Sequence, residues 1–317
     1  DLSRNEKSVG VFFEYACDNW ENFSFTAGLR ADTHNLLGFF VTPRLHLRYV
    51  PWEKGVFRAS AGRGKRSANI FAENQQLFAS NRQINIDDVD GNIYGLNPEV
   101  AWNYGVSYMQ KFNLFEKKGD ITFDYYQTNF ENQVVVDWEN PQEISFYDLE
   151  GKSIANSFQV ELSYNLAEHF NLRTAYKYFD ISTDFKSGNL QKPIQPKNRF
   201  FANLSYETHL KDNDSQWKFD VTFNNIGKQR LPSTSSNPVQ YQLAEFSDAY
   251  QLLNSQITKV FSNRFEIYMG AENITNVKQD NPILASDEPF GTSFDTTIIY
   301  SPIFGRAFYA GLRFKIK

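Results

Sequence analysis

The chain has 317 residues, 16% of them aromatic with 30 Phe and 17 Tyr, yet its mean hydropathy is negative, so abundant rings coexist with a polar average. Its net charge of −5 is spread without a basic block, which leaves no electrostatic footprint for nucleic acid. The single Cys17 excludes an internal disulfide framework, and no stretch approaches the roughly 20 apolar residues of a membrane-spanning helix, so any insertion into a bilayer is by strands.

The chain begins Asp1-Leu2-Ser3-Arg4, without an initiator Met or a charged-then-apolar leader, and this start reads as a cut or processed end. Beyond it, many segments alternate apolar and polar residues, as a strand between lipid and water must. Val100, Trp102, Tyr104, Val106 and Tyr108 share one face, and Asn103, Gly105 and Ser107 the other. The pattern returns with Phe158, Val160, Leu162 and Tyr164, then with Trp217, Phe219, Val221 and Phe223, and finally with Phe308, Ala310, Leu312, Phe314 and Ile316. Such runs predict about 13 strands, many near the ~9 to 11 residues that cross a bilayer at a tilt. The expected fold class is all-β: an antiparallel transmembrane β-barrel.

Connections alternate short and long, as periplasmic turns and extracellular loops do in outer-membrane barrels. Short ones fall near Asp18 to Asn22, Pro51 to Gly55, Asn113 to Gly119, Asn165 to His169, Lys211 to Gln216 and Ser262 to Arg264. Long ones cover Lys65 to Asn97, Trp138 to Glu150, Asp184 to Lys197, Leu231 to Phe246 and Asn276 to Phe304; His34 to Phe39 is shorter than the pattern predicts. Rings crowd the short turns (Trp20, Phe23, Tyr49, Trp52, Phe112, Phe115, Phe170, Trp217, Phe261, Phe265), as an interfacial girdle requires. An odd strand count and the unpaired edges of an open sheet both predict further strands before Asp1.

Several segments in order resemble the barrel of the TonB-dependent outer-membrane receptors, especially those of Bacteroidetes. They are Gly64-Lys65-Arg66-Ser67-Ala68-Asn69 with Ala72-Glu73-Asn74, Asn97-Pro98-Glu99 to Asn103-Tyr104-Gly105, and Asp124-Tyr125-Tyr126 to Phe130-Glu131-Asn132-Gln133-Val134-Val135. Gly151-Lys152-Ser153, Ala271-Glu272-Asn273-Ile274-Thr275-Asn276 and Gly305-Arg306-Ala307-Phe308-Tyr309-Ala310-Gly311-Leu312-Arg313-Phe314 complete the set. The resemblance implies a barrel of roughly 22 strands, of which residues 1–317 are the C-terminal portion, about strands 10 to 22. It also implies a plug domain and earlier strands ahead of this chain, and coupling to the TonB–ExbB–ExbD complex through a segment near the plug's start. The family commonly ends its last strand in an aromatic residue, whereas here Ile316 is followed by Lys317.

No nucleotide loop, zinc spacing or hydrolase elbow appears, which predicts no enzyme and no cofactor, and His34, His46, His169 and His209 are too scattered to suggest a metal cluster. Arg30, Arg44, Arg48 and Arg58, with His46 on the same face, predict a basic patch on the inner wall that pairs with acidic groups of the plug. In the Lys65 to Asn97 loop, Arg66, Asn69, Phe71, Glu73, Asn74 and Gln76 combine rings with hydrogen-bonding groups and are the substrate-binding candidates. The loop acids Asp87, Asp88, Asp90, Asp287, Glu288 and Asp295 read as solvated charge. The expected function is active uptake across the outer membrane of a scarce nutrient, a metal complex such as a ferric siderophore, haem or cobalamin. A passive porin, a glycan importer, an outer-membrane enzyme and a soluble glycan-binding β-protein are the competing readings.

Overall fold

The computed structural model describes residues 4–316, so the readings of the first residues and of Lys317 lie outside the described residues. In chain order the strands are β1 (Ser8–Trp20), β2 (Phe23–His34), β3 (Gly38–Trp52), β4 (Gly55–Arg66), β5 (Gln83–Ile86), β6 (Glu99–Leu114), β7 (Lys117–Asn132), β8 (Val134–Asp137) and β9 (Glu143–Asp148). There follow β10 (Ser153–Ala167), β11 (Phe170–Phe185), β12 (Gly188–Gln191), β13 (Asn198–Glu207), β14 (Gln216–Ile226), β15 (Tyr250–Ser262), β16 (Phe265–Glu272) and β17 (Ala307–Phe314). Thirteen of them form one antiparallel path in the order β1-β2-β3-β4-β6-β7-β10-β11-β13-β14-β15-β16-β17, with β12 attached to β11. The strand count and the placement of short and long connections agree with the expectation. β17 stops at Phe314 rather than Ile316, although Lys315 still donates its backbone N–H to the Arg264 carbonyl at 2.9 Å.

Register shows why this sheet forms. Opposed residues lie on one face, so a row of partners samples one solvent. Phe23, Tyr49, Phe57, Tyr108, Phe123, Val160, Tyr176 and Phe200 make one such row across eight strands. Displaced by one residue, Ser24, Arg48, Arg58, Ser107, Asp124, Gln159, Lys177 and Arg199 make the next. The first row is wholly apolar or aromatic and the second wholly polar, the alternation of a wall with lipid on one side and water on the other.

The short turns are tight. Phe115 and Glu116 both hold positive φ (49° and 63°) between the paired Leu114 and Lys117, the two-residue geometry whose twist suits a hairpin. The turns after β1, β3, β10 and β15 are instead each preceded by a register shift. Rings gather at this end in contact: Trp20 with Phe23 at 5.4 Å, Phe170 with Tyr206 at 4.3 Å and Phe261 with Phe265 at 5.5 Å.

At the other end the long connections build a second structure. Parallel β5–β9 and antiparallel β8–β9 pairing makes a three-stranded sheet, and α1 (Ile70–Glu73) packs with it. Ile70, Leu77, Leu96, Val134, Trp138, Ile144, Phe146, Leu231 and Ile298 form its core, with Ile144 and Phe146 at 0% exposure. This core comes entirely from connections, so the most buried side chains lie in the loop cap and not in the wall.

Candidate functional site

Two buried ion pairs lock the cap. Arg82 reaches Asp295 at 2.7 Å with side chains 1% and 6% exposed, gives its other nitrogen to the Trp138 carbonyl at 2.6 Å and lies over the Trp138 ring. Arg230 donates to Glu139 at 2.8 Å and to the Gln191 carbonyl at 2.6 Å. Each guanidinium is held by a carboxylate and by backbone oxygens, which is what makes a buried charge tolerable. At the cap's flank Tyr147 donates to Asp137 at 2.7 Å and accepts from the Lys186 backbone N–H at 3.0 Å. Burial and that bond to Asp137 push the Tyr147 phenol above its ordinary range, and the hydrogen bond to Asp87 raises the Lys186 ammonium.

Between the cap and the loop end of the wall lies a cavity of about 400 Å³, which we take as the candidate ligand site. Its polar lining includes Glu73, Asn74, Gln76, Gln133, Thr183, Lys192 and Thr297, and Trp138 and Phe185 give it aromatic surface. The side-chain oxygens of Gln133 and Thr297 are buried and make no hydrogen bond. Lys192 enters none of the ion pairs found among the described residues.

The loop residues singled out from sequence divide in two. Glu73, Asn74 and Gln76 line the cavity. Asn69 instead caps α1, accepting from the Ala72 N–H at 3.1 Å, while Glu73 accepts from the Asn69 N–H at 3.1 Å and from Arg66 at 2.9 Å. Phe71 packs edge-on against Tyr94 at 5.3 Å. Gln133, Lys192 and Thr297 are not legible as a group in the sequence because they arrive from three other connections. A local signal was there: Val134, Val135 and Val136 break the alternation, as β8 must when both faces are covered.

On the polar face of the wall, Arg48 and Arg58 stand directly opposite each other, with His46 nearby, in a hollow of about 790 Å³ that Asp124 also lines. Arg30 and Arg44 are taken up within the wall by Asp32 (2.7 Å) and Glu14. Among the described residues Arg48 and Arg58 make no salt bridge, although like charges face to face repel. Two sequence expectations need correction. Asp295 is not a solvated loop acid but the buried partner of Arg82. The histidines are not all scattered either: His169 and His209 meet at the short-turn end, with ring nitrogens 3.2 Å apart.

A two-solvent antiparallel wall with tight turns at one end and a packed loop cap at the other defines a β-barrel of the outer-membrane type. The chain belongs to the TonB dependent receptor-like, beta-barrel family, whose profile matches residues 2–274. No curated protein matches this sequence. Among solved structures it resembles the Pseudomonas aeruginosa ferric enterobactin receptor PfeA in an enterobactin complex, at TM-score 0.71 and 16% identity over 98% of this chain and 45% of that one. The siderophore receptor PirA of Acinetobacter baumannii gives 0.65 and 13% over 98% and 46%, and the ferric-catecholate import receptor Fiu of E. coli K12 gives 0.64 and 11% over 97% and 44%. At these identities the likeness shows the fold, and the chain spans slightly under half the length of these receptors. The family consists of outer-membrane receptors and transporters rather than enzymes.

Proposed function

We propose that the chain is the loop-bearing wall of an outer-membrane importer that takes up ferric siderophores, driven by the TonB–ExbB–ExbD complex. In this reading the short turns face the periplasm and the cap faces the outside. Family membership supports the transport class, and the cavity beneath the cap is the observation that carries the cargo. Each buried oxygen without a partner costs about 1–3 kcal/mol, so Gln133 and Thr297 favour a ligand bearing hydrogen-bond donors. Lys192 and the rings of Trp138 and Phe185 suit an anionic, aromatic chelate.

β1 and β17 each have one neighbour in the sheet, and open edges are not stable in lipid, which supports closure by further strands. The opposed Arg48 and Arg58 suit the acidic groups of a plug inside the completed barrel.

The test is radioiron uptake from a ferric catecholate by cells producing the protein. Uptake is expected to need the coupling complex, and Gln133→Leu combined with Lys192→Ala is expected to weaken binding at least tenfold with barrel assembly unchanged. Uptake that persists without the coupling complex would make the barrel a passive channel, and absence of ferric-catecholate binding would assign it another cargo.

A further inference from the structure

A second cluster lies at the opposite end from the cap. The β11–β13 pairing sets Phe170 against Tyr206, and the ladder runs one bond further, with the Glu207 N–H donating to the His169 carbonyl at 3.1 Å. This carries the exit of β13 past the β10–β11 turn. His169 sits in that turn at φ +65°, so its position is set by the backbone and not by a free tether. His209 arrives 40 residues later, its Nδ1 3.2 Å from His169 Nε2 and the two rings edge to face at 75°. Glu168 Oε1 is 3.6 Å from the same Nε2, and one ligand atom from each residue lies within 4.8 Å of the others.

We propose that Glu168, His169 and His209 form a binding site for a first-row divalent cation of the Zn²⁺ class on the short-turn rim. The donor set is two imidazoles and a carboxylate, the borderline ligands such ions select over Ca²⁺ or Mg²⁺. The spacing fits as well. Two nitrogens each bound at about 2.05 Å around a tetrahedral ion stand ~3.3 Å apart, close to the separation observed. One shared proton holds the two ring nitrogens together without metal, and the ion takes that proton's place between them. Because Glu168 and His209 are exposed, water completes the coordination. The bound ion staples the β10–β11 turn to the β13–β14 connection.

The test uses untagged protein purified from outer membranes, stripped with a chelator and titrated calorimetrically with Zn²⁺ alone. One equivalent per chain is expected at this site, weakened at least tenfold in His209→Ala and in His169→Asn, where Asn tolerates the left-handed backbone. Glu168→Gln should weaken it less. A double histidine variant that binds Zn²⁺ with unchanged stoichiometry and affinity, or a wild type that takes up no more than that variant, overturns the site. If the variants fail to assemble, histidine-modification mapping of the wild type decides. Zn²⁺ should protect His169 and His209 from diethylpyrocarbonate, and equal labelling with and without the ion rejects the proposal.

Discussion

The wall and the cap obey opposite rules of burial. In the wall, Val106, Phe123 and Phe200 remain exposed within the protein because lipid is their partner, and neighbouring rows differ only in the solvent they meet. In the cap, Ile144, Phe146 and Leu96 are closed off by other loops, as in a small soluble domain. The wall is therefore held by backbone ladders and a bilayer, the cap by a core and two buried ion pairs. The candidate site between them is bounded on one side by the ladder-held wall and on the other by the packed loop cap.

That difference predicts separable damage. The largest effect is expected from Arg82→Ala, which leaves Asp295 buried without its counter-charge at a cost of about 3–5 kcal/mol. Hydrogen exchange should show β8, β9 and the 273–306 connection losing protection while β6 and β7 keep theirs. Equal loss in β6 and β7 would mean that wall and cap open as one unit. Next is Phe123→Arg, which places charge on the apolar row and should cost about 2–4 kcal/mol of assembly into vesicles, read by gel mobility with and without heating. Thr122→Arg, one residue away on the polar face, should assemble nearly as the wild type. If the two variants behave alike, the assignment of faces is wrong.

The wall was legible in the sequence because its rule is local: a residue and its second neighbour share a solvent, so Val100 to Tyr108 or Phe158 to Tyr164 declare their faces unaided. The cap was not, because its decisive contacts are distant. Arg82 and Asp295 are 213 positions apart, and nothing near either marks the pairing. The candidate site inherits both properties. Glu73, Asn74 and Gln76 were visible as a polar cluster in one loop, whereas Gln133, Lys192 and Thr297 join them only when the connections fold together. Asn69 and Arg66 carry a further role that composition alone does not reveal, capping α1 and holding Glu73. His169 and His209 stand apart in the sequence because the ladder between β11 and β13 that joins them is itself a tertiary fact.

The smallest predicted effect sharpens the comparison at the cap's flank. Tyr147→Phe removes the donor to Asp137 and the acceptor for the Lys186 N–H, and should cost the cap about 1 kcal/mol, seen as faster exchange at the Lys186 amide. Its pH dependence has a definite sign. The phenol is raised in the folded cap, so its contribution is full below the ordinary tyrosine value of about 10 and is lost as pH climbs through the folded value. Ultraviolet titration of the wild type should therefore show one more late-ionising tyrosine than Tyr147→Phe, and the variant should lack that part of the alkaline weakening of the cap. If the tyrosine missing from the variant is instead one that ionises near the ordinary value, water reaches Tyr147, and the cap is less closed at this flank than at Arg82.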